Sequence, residues 1–260
     1  MISDILQPLL VAIFVAANAS LLGTFAILKR MALVGDALTH VALPGMALGL
    51  IFNFSPFWGA LVFLTAATFG IWFLEQYSEL SVETLVGIFF SASLAVGVLL
   101  TPDTELLEAL FGNITGLGWG ESLISIAISL FTMILVFSIR RKLALNMLSP
   151  ELAQSIGINN RKLELVYLLL FALAVALGIR FVGALLMGSL VIIPAAAAKN
   201  IAHGFKSFLS LAMIFGVISS AMSIFVWKAT AFEPGPVFII VSSAIFIFTL
   251  IWRLLRSNRQ

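Results

Sequence analysis

The sequence predicts an all-α, polytopic membrane helix bundle with about eight or nine transmembrane helices. Two observations carry this. Of the 260 residues, 62% are hydrophobic and only 10% are charged, and the mean hydropathy is +1.16. Soluble domains average about 45–50% apolar and about 25% charged. The apolar residues also fall in runs close to the length a bilayer demands, about 20 residues per crossing helix. No water-soluble fold hides this much apolar surface, so lipid is the solvent, and residues 1–260 read as one transmembrane domain.

Nine runs qualify, at roughly 5–28, 33–52, 56–74, 83–101, 121–139, 163–179, 181–198, 207–228 and 236–255. The first follows "MISD", with Asp4 and no leading basic residue, so it is expected to be a retained span and not a cleaved signal peptide. The sixth and seventh are separated only by Gly178–Arg180. Two connectors stand out. The acidic stretch at 102–120 reads as an external amphipathic piece too short to cross. The basic stretch at about 146–162 contains a short helix, with Ser149 as N-cap, Pro150 in the first helical position and Gly157 as stop. Such a helix either docks a partner or is a loop ordered by its own caps.

The positive charges sort by topology. Short cytoplasmic loops collect Lys and Arg. With nine spans and an outside N-terminus, the inside holds Lys29, Arg30, Arg140, Arg141, Lys142, Arg161, Lys162, Lys199, Lys206, Arg253, Arg256 and Arg259. Only Arg180 and Lys228 remain outside, and the C-terminus lies inside. The net charge of +2 is therefore a topology signal, and no nucleic-acid partner is expected. The absence of cysteine excludes disulfides, thiolate zinc sites and iron–sulfur clusters. No phosphate-binding GxxxxGK[ST] loop, HExxH or GxSxG motif is present.

Within this apolar chain, "KRMALVGDALTHVALPGMALGL" (29–50) places Asp36 and His40 four residues apart. On a helix that spacing puts both on one face. Ionisable groups inside a membrane are costly and by default indicate function, and a carboxylate with an imidazole is a ligand pair for first-row metals. The alternative is a pair that satisfies itself by hydrogen bonding, made cheaper if Asp36 lies one turn from the cytoplasmic end. Two ligands do not close a site that needs four; a two-fold dimer with this helix at its axis doubles them. The same helix is lined with Gly35, Ala37, Ala42, Gly45, Ala47 and Gly49, and Pro44 predicts a kink just past His40. The seventh run repeats the theme with Gly183, Gly188, Ser189 and Pro194, as in helices that line transport pathways or simply pack closely. His203, the other histidine, reads as a solvated loop residue.

"LKRMALVGDALTHVALPG" (28–45), "LFGNITGLGWGE" (110–121), "SPELAQSIGINNRKLELV" (149–166) and "VGALLMGSLVIIPAAAAKNIA" (182–202) together resemble the zinc/manganese family of ABC transporter permeases, across nearly the whole chain. The resemblance implies a type II ABC-importer-like fold in a bacterial cytoplasmic (inner) membrane. It implies a homodimer resting on two copies of a separate cytoplasmic ATPase, so that this chain is a transporter subunit and not itself an enzyme. An extracytoplasmic metal-binding protein would deliver the ion. Asp36 and His40 match the family's metal-coordinating pattern, with Thr39 where many relatives carry Ser. The stretch Ser149, Pro150, Glu151, Leu152, Ala153, Gln154, Ser155, Ile156 and Gly157 resembles the helix that couples to the ATPase. The cargo is a divalent metal, Zn2+ or Mn2+ with iron a further option, and no cofactor is permanently bound.

Two other classes stay open at this level. A proton-coupled secondary metal transporter would use Asp36 as a relay. An intramembrane metalloenzyme would need further ligands and a base on neighbouring spans, but the other acids cluster at helix ends and in loops.

Overall fold

The computed structural model describes residues 2–100, 118–184, 186–230 and 232–257. These residues form eleven α-helices, and no strand is found among them. They are α1 (Ile2–Leu28), α2 (Ala32–Val41), α3 (Leu43–Ile51), α4 (Pro56–Tyr77), α5 (Val82–Leu100), α6 (Trp119–Leu148), α7 (Pro150–Ser155), α8 (Asn160–Val182), α9 (Met187–Ile201), α10 (Phe205–Thr230) and α11 (Pro234–Ser257). Eight spans are long and apolar enough to cross a membrane, with α2 and α3 counted as one. Residues 101–117 lie outside the described set, and with them most of the external segment expected at 102–120.

The division between α2 and α3 has a local cause. Pro44 has no N–H, so the carbonyl of His40 has no donor four residues on. The Ala42 N–H turns to the Thr39 carbonyl (3.2 Å), and the ladder resumes with Met46 N–H on the Ala42 carbonyl (3.0 Å). The kink expected past His40 is therefore a break at Ala42. α3 then closes tightly on α4. A Cβ on Gly45 or on Gly59 would run into the other's carbonyl, so the two backbones touch.

The boundary expected at Gly178–Arg180 is corrected. α8 runs unbroken through Val182 and stops at Gly183, whose φ of 80° is the left-handed conformation that glycine adopts freely. Arg180 stays in the helix because its charge is met there. Its guanidinium donates to Glu121 Oε1 at 3.0 Å and lies 5.4 Å from the ring centre of Phe57. The next helix, α9, has 15 residues, about 22 Å at 1.5 Å per residue, which is short of a bilayer core of about 30 Å. Gly235, at the start of α11, packs against Leu186 and Val182. Asn200 donates to Thr249 (3.1 Å), and His203 pairs with Arg256 (3.1 Å) near the end of α11. Val182, Leu186, Asn200 and His203 thus lie beside α11 between its first turn and its last.

Side-chain contacts order the helices into two ends. At one, Gln7 donates to Ser122 (2.8 Å) and Arg180 meets Glu121. At the other, Lys29 pairs with Glu164, Trp72 Nε1 donates to the Arg161 carbonyl (2.9 Å), and His203 meets Arg256. α1 and α6 are parallel to each other and antiparallel to α8, as alternating passes require.

Lys29 is an ion-pair hub at the basic end. Burial pushes its ammonium below the usual lysine range, and Glu75 and Glu83 hold it up. Removing one partner leaves the other poorly compensated. Glu164→Gln is expected to lower stability by about 1–3 kcal/mol, softened because Glu75 and Glu83 remain. The double variant Lys29→Met, Glu164→Leu should recover most of the loss in a thermal melt of the purified protein. Equal or greater loss in the double variant would show that the pair is not coupled.

Candidate metal-transit site

α2 carries two faces. Val34, Gly35, Leu38 and Thr39 are buried against the bundle. Leu33, Asp36, Ala37 and His40, at helical spacing, form the opposite face. Leu33 is 79% exposed, Asp36 is exposed, and Ala37 and His40 are half-buried. The apolar stripe and the polar pair thus sit on opposite sides of a single helix, which is why the pair is not sealed into the core.

The depth of the pair differs from the expectation that Asp36 lies one turn from the cytoplasmic end. Gly35 packs on Phe171, the middle of α8, and the His40 ring lies 5.3 Å from Phe90, near the middle of α5, edge to face. The pair is therefore at mid-bundle. The reason is the turn before it. Arg30 stays exposed with a φ of 62°, and Met31, 3% exposed, turns straight back into the core.

Each side chain of the motif has a distinct environment. The Thr39 hydroxyl donates to the Asp36 carbonyl at 2.6 Å, so it is spent on its own helix and does not face the pair. His40 Nδ1 is buried and lacks a hydrogen-bond partner. Buried polar atoms are normally satisfied, which sets this nitrogen apart from the Thr39 hydroxyl beside it. Asp36 lies against Gly188 in the first turn of α9. A Cβ there would stand 2.8 Å from both Cβ and Oδ1 of Asp36 and 3.0 Å from its Cα. Helix N-termini present N–H groups without intrahelical partners and favour negative charge by about 0.3–1 kcal/mol. The lack of a side chain at Gly188 thus leaves room for Asp36 to sit against α9, a role that the sequence showed only as one more small residue.

Among the described residues, no group of three or more His, Cys, Asp and Glu is placed to hold an ion. What the arrangement offers is one carboxylate and one imidazole on an open face, borderline donors that suit zinc and manganese alike.

The second candidate region lies at the basic end. α7 begins with Pro150 and ends at Ser155, and Gly157 takes a φ of 81°. Ser149 stands at the N-cap as expected, without a side-chain hydrogen bond. Asn160 Nδ2, from α8, donates to the Pro150 carbonyl at 2.7 Å and ties the turn to the next helix. Ala153 anchors the helix in the core at 0% exposure. Glu151, Gln154, Ser155 and Gly157 are exposed. Leu148, Leu152 and Ile156, four residues apart, are 67%, 53% and 62% exposed. These are three exposed apolar side chains around a short polar helix, a form typical of a protein contact.

Comparison with known proteins agrees with this architecture. Residues 1–253 match the ABC 3 transport family. The chain is 32% identical over 259 residues to the high-affinity zinc uptake system membrane protein ZnuB of Haemophilus influenzae, covering 96% of this chain and 98% of that one. It is 29% identical to the manganese transport system membrane protein MntC of Listeria innocua, covering 95% and 89%. Among solved structures it superposes on PsaBC from Streptococcus pneumoniae in complex with Fab with a TM-score of 0.83 at 27% identity, covering 96% and 95%. With this coverage and an all-helical bundle of eight long spans, the chain belongs to the ABC 3 transport family, as a membrane-embedded permease of the ABC transporter class.

Proposed function

We propose that the chain is the membrane subunit of an ATP-driven importer for a divalent transition metal, zinc or manganese. The observation that carries the proposal is the Asp36–His40 pair at mid-bundle, on a face left open by its own chain, with an unpartnered His40 nitrogen. An exposed carboxylate at that depth is costly in lipid. A second copy packed on the Leu33–Asp36–His40 face removes it from lipid and raises the donors from two to four. The ion then passes between the two copies. A mixed oxygen and nitrogen set holds it long enough to exclude water and weakly enough to release it. The relatives named for zinc uptake and for manganese transport match this chain about equally, which supports both cargoes.

In this reading the basic end faces the cytoplasm, following the distribution of Lys and Arg. The 182–203 segment is a ninth pass, which leaves the N-terminus outside. Two copies of a separate ATPase sit on the exposed Leu148, Leu152 and Ile156 of the two permeases. An extracytoplasmic binding protein delivers the ion at the other end. ATP-driven motion at α7 reaches the site through α8, against whose Phe171 the α2 glycine packs. The break at Ala42 and the left-handed turn at Gly183 are points where the chain can bend.

The dimer face is directly testable, because the chain has no cysteine of its own. Leu33→Cys should form an intermolecular disulfide with its copy under mild oxidation in membranes. Phe131→Cys, on α6 and 59% exposed, should not. A cross-link at Phe131 and none at Leu33 would move the interface elsewhere. Transport itself is tested in proteoliposomes containing this chain, its ATPase and the binding protein. Uptake should require ATP and persist with an uncoupler, whereas loss on uncoupling at constant ATP would favour the proton-coupled alternative. Uptake should also fall as the pH drops through the ordinary histidine range near about 6.5, because only neutral imidazole coordinates.

A further inference from the structure

We propose that the cavity where α6 leaves the bilayer beside the start of α8 binds the headgroup of an anionic phospholipid. The cavity encloses about 550 Å³, and its walls bring Arg141 and Lys142 of α6 together with Lys162 of α8 over Leu145, Leu163 and Val166. No acidic residue lines it. Among the described residues, none of the three cations has an ion-pair partner. Glu164, two residues beyond Lys162, is turned to the opposite side of α8 and is engaged by Lys29. Three unpaired positive charges around one concavity raise its affinity for an anion.

The level of the cavity selects the kind of anion. α6 has 30 residues, about 45 Å, which is longer than a hydrocarbon core of about 30 Å. Its apolar stretch ends at Ile139, and Arg140 to Lys142 follow at once. On α8, Lys162 is likewise the last charge before the apolar run that opens with Leu163, apart from the engaged Glu164. Both helices therefore place their cations at the same headgroup level. Leu163 and Val166 then lead from the cavity into the hydrocarbon layer. A soluble phosphate would use the cations but not that apolar wall, whereas a phospholipid uses both. Basic pockets between membrane helices on the cytoplasmic side recognise lipid headgroups by this combination.

The far rim of the cavity is residues 156–159, the turn that follows α7. A bound headgroup ties α6, α8 and that turn together and so braces α7. The proposal rests on membrane embedding and on the basic end facing an anionic leaflet. It does not depend on metal transport.

The test uses the full chain purified in detergent and native mass spectrometry against dioleoylphosphatidylglycerol and dioleoylphosphatidylcholine. Wild type should retain one phosphatidylglycerol preferentially. The variant Arg141→Gln, Lys142→Gln, Lys162→Gln should lose at least about tenfold in affinity for it, with phosphatidylcholine unchanged. The control Lys206→Gln, Arg253→Gln, Arg256→Gln removes equal charge from the same end and should bind like wild type. Excess inorganic phosphate should not displace the lipid. Lys162→Gln alone should show a smaller loss, read also as reduced thermal stabilisation by phosphatidylglycerol, so that a poorly folding triple variant does not decide the matter. Undiminished binding in the cavity variant overturns the proposal. So does an equal loss in the control, displacement by phosphate, or equal retention of phosphatidylcholine.

Discussion

Asp36→Ala and His40→Ala should each abolish metal uptake while leaving the assembled complex intact. The expectation follows from the small number of donors. Each chain brings one carboxylate and one imidazole, and no larger cluster exists among the described residues. Removing either side chain takes two of four donors from a dimeric site. Loss of groups that merely support a ligand typically costs about 10–100-fold in metal affinity or activity, so loss of the ligands should exceed that. Assembly should survive because Asp36 is exposed on the single chain and His40 is half-buried; neither truncation empties the core. The measurement is radiolabelled zinc and manganese uptake in proteoliposomes, with co-purification of the ATPase as the assembly control. Loss for one metal only, in both variants, would also name the preferred cargo. Normal transport in both variants would make the pair structural and send the pathway elsewhere in the bundle.

Substitution of Gly188 should damage transport almost as severely, although glycine has no chemistry to contribute. A Cβ at 188 stands 2.8 Å from Asp36 Cβ and 3.0 Å from its Cα. Relief requires movement of the α2 backbone and not only of a side-chain tip. Overpacking of this kind costs about 1–3 kcal/mol. Because α2 holds both Asp36 and His40, the displacement moves both donors. Gly188→Ala should lower uptake about tenfold, and Gly188→Val should abolish it, where 1.4 kcal/mol corresponds to a factor of ten. Gly87→Ala is the control, since nothing lies within 4 Å of a Cβ there. Uptake unchanged in Gly188→Ala, with Asp36→Ala inactive, would show that α2 tolerates the shift and that Gly188 is ordinary packing.

Much of the architecture is legible in the chain because lipid imposes a simple rule. Each crossing needs a long apolar run, and each run is bounded by charge or by Gly and Pro. The break after His40 is similarly readable, since Pro44 removes one donor whatever surrounds it. The boundary at 178–180 was misread for a physical reason. A charged residue beside a glycine looks like a loop, and only the neighbouring helices show that Glu121 and Phe57 meet the charge of Arg180 inside the bundle. The N-cap position of Ser149 was readable, whereas the tie from Asn160 to the Pro150 carbonyl was not, because it joins two helices.

The candidate site divides the same way. The residue types and their spacing mark Asp36 and His40 from sequence alone, since carboxylate and imidazole in an apolar run stand out against everything near them. Their depth, their exposure and the seat at Gly188 do not, because those depend on how α2 lies against α5, α8 and α9. By itself the sequence determined the membrane habitat, the all-helical fold, the approximate spans and the chemical identity of the pair. The tertiary structure decided that the pair lies at mid-bundle, that Asp36 approaches Gly188, and that Val182, Asn200 and His203 lie beside α11. Local hydropathy and spacing are properties of neighbouring residues along the chain. Depth, partners and close approach are set by residues far apart in sequence, and packing alone brings them together.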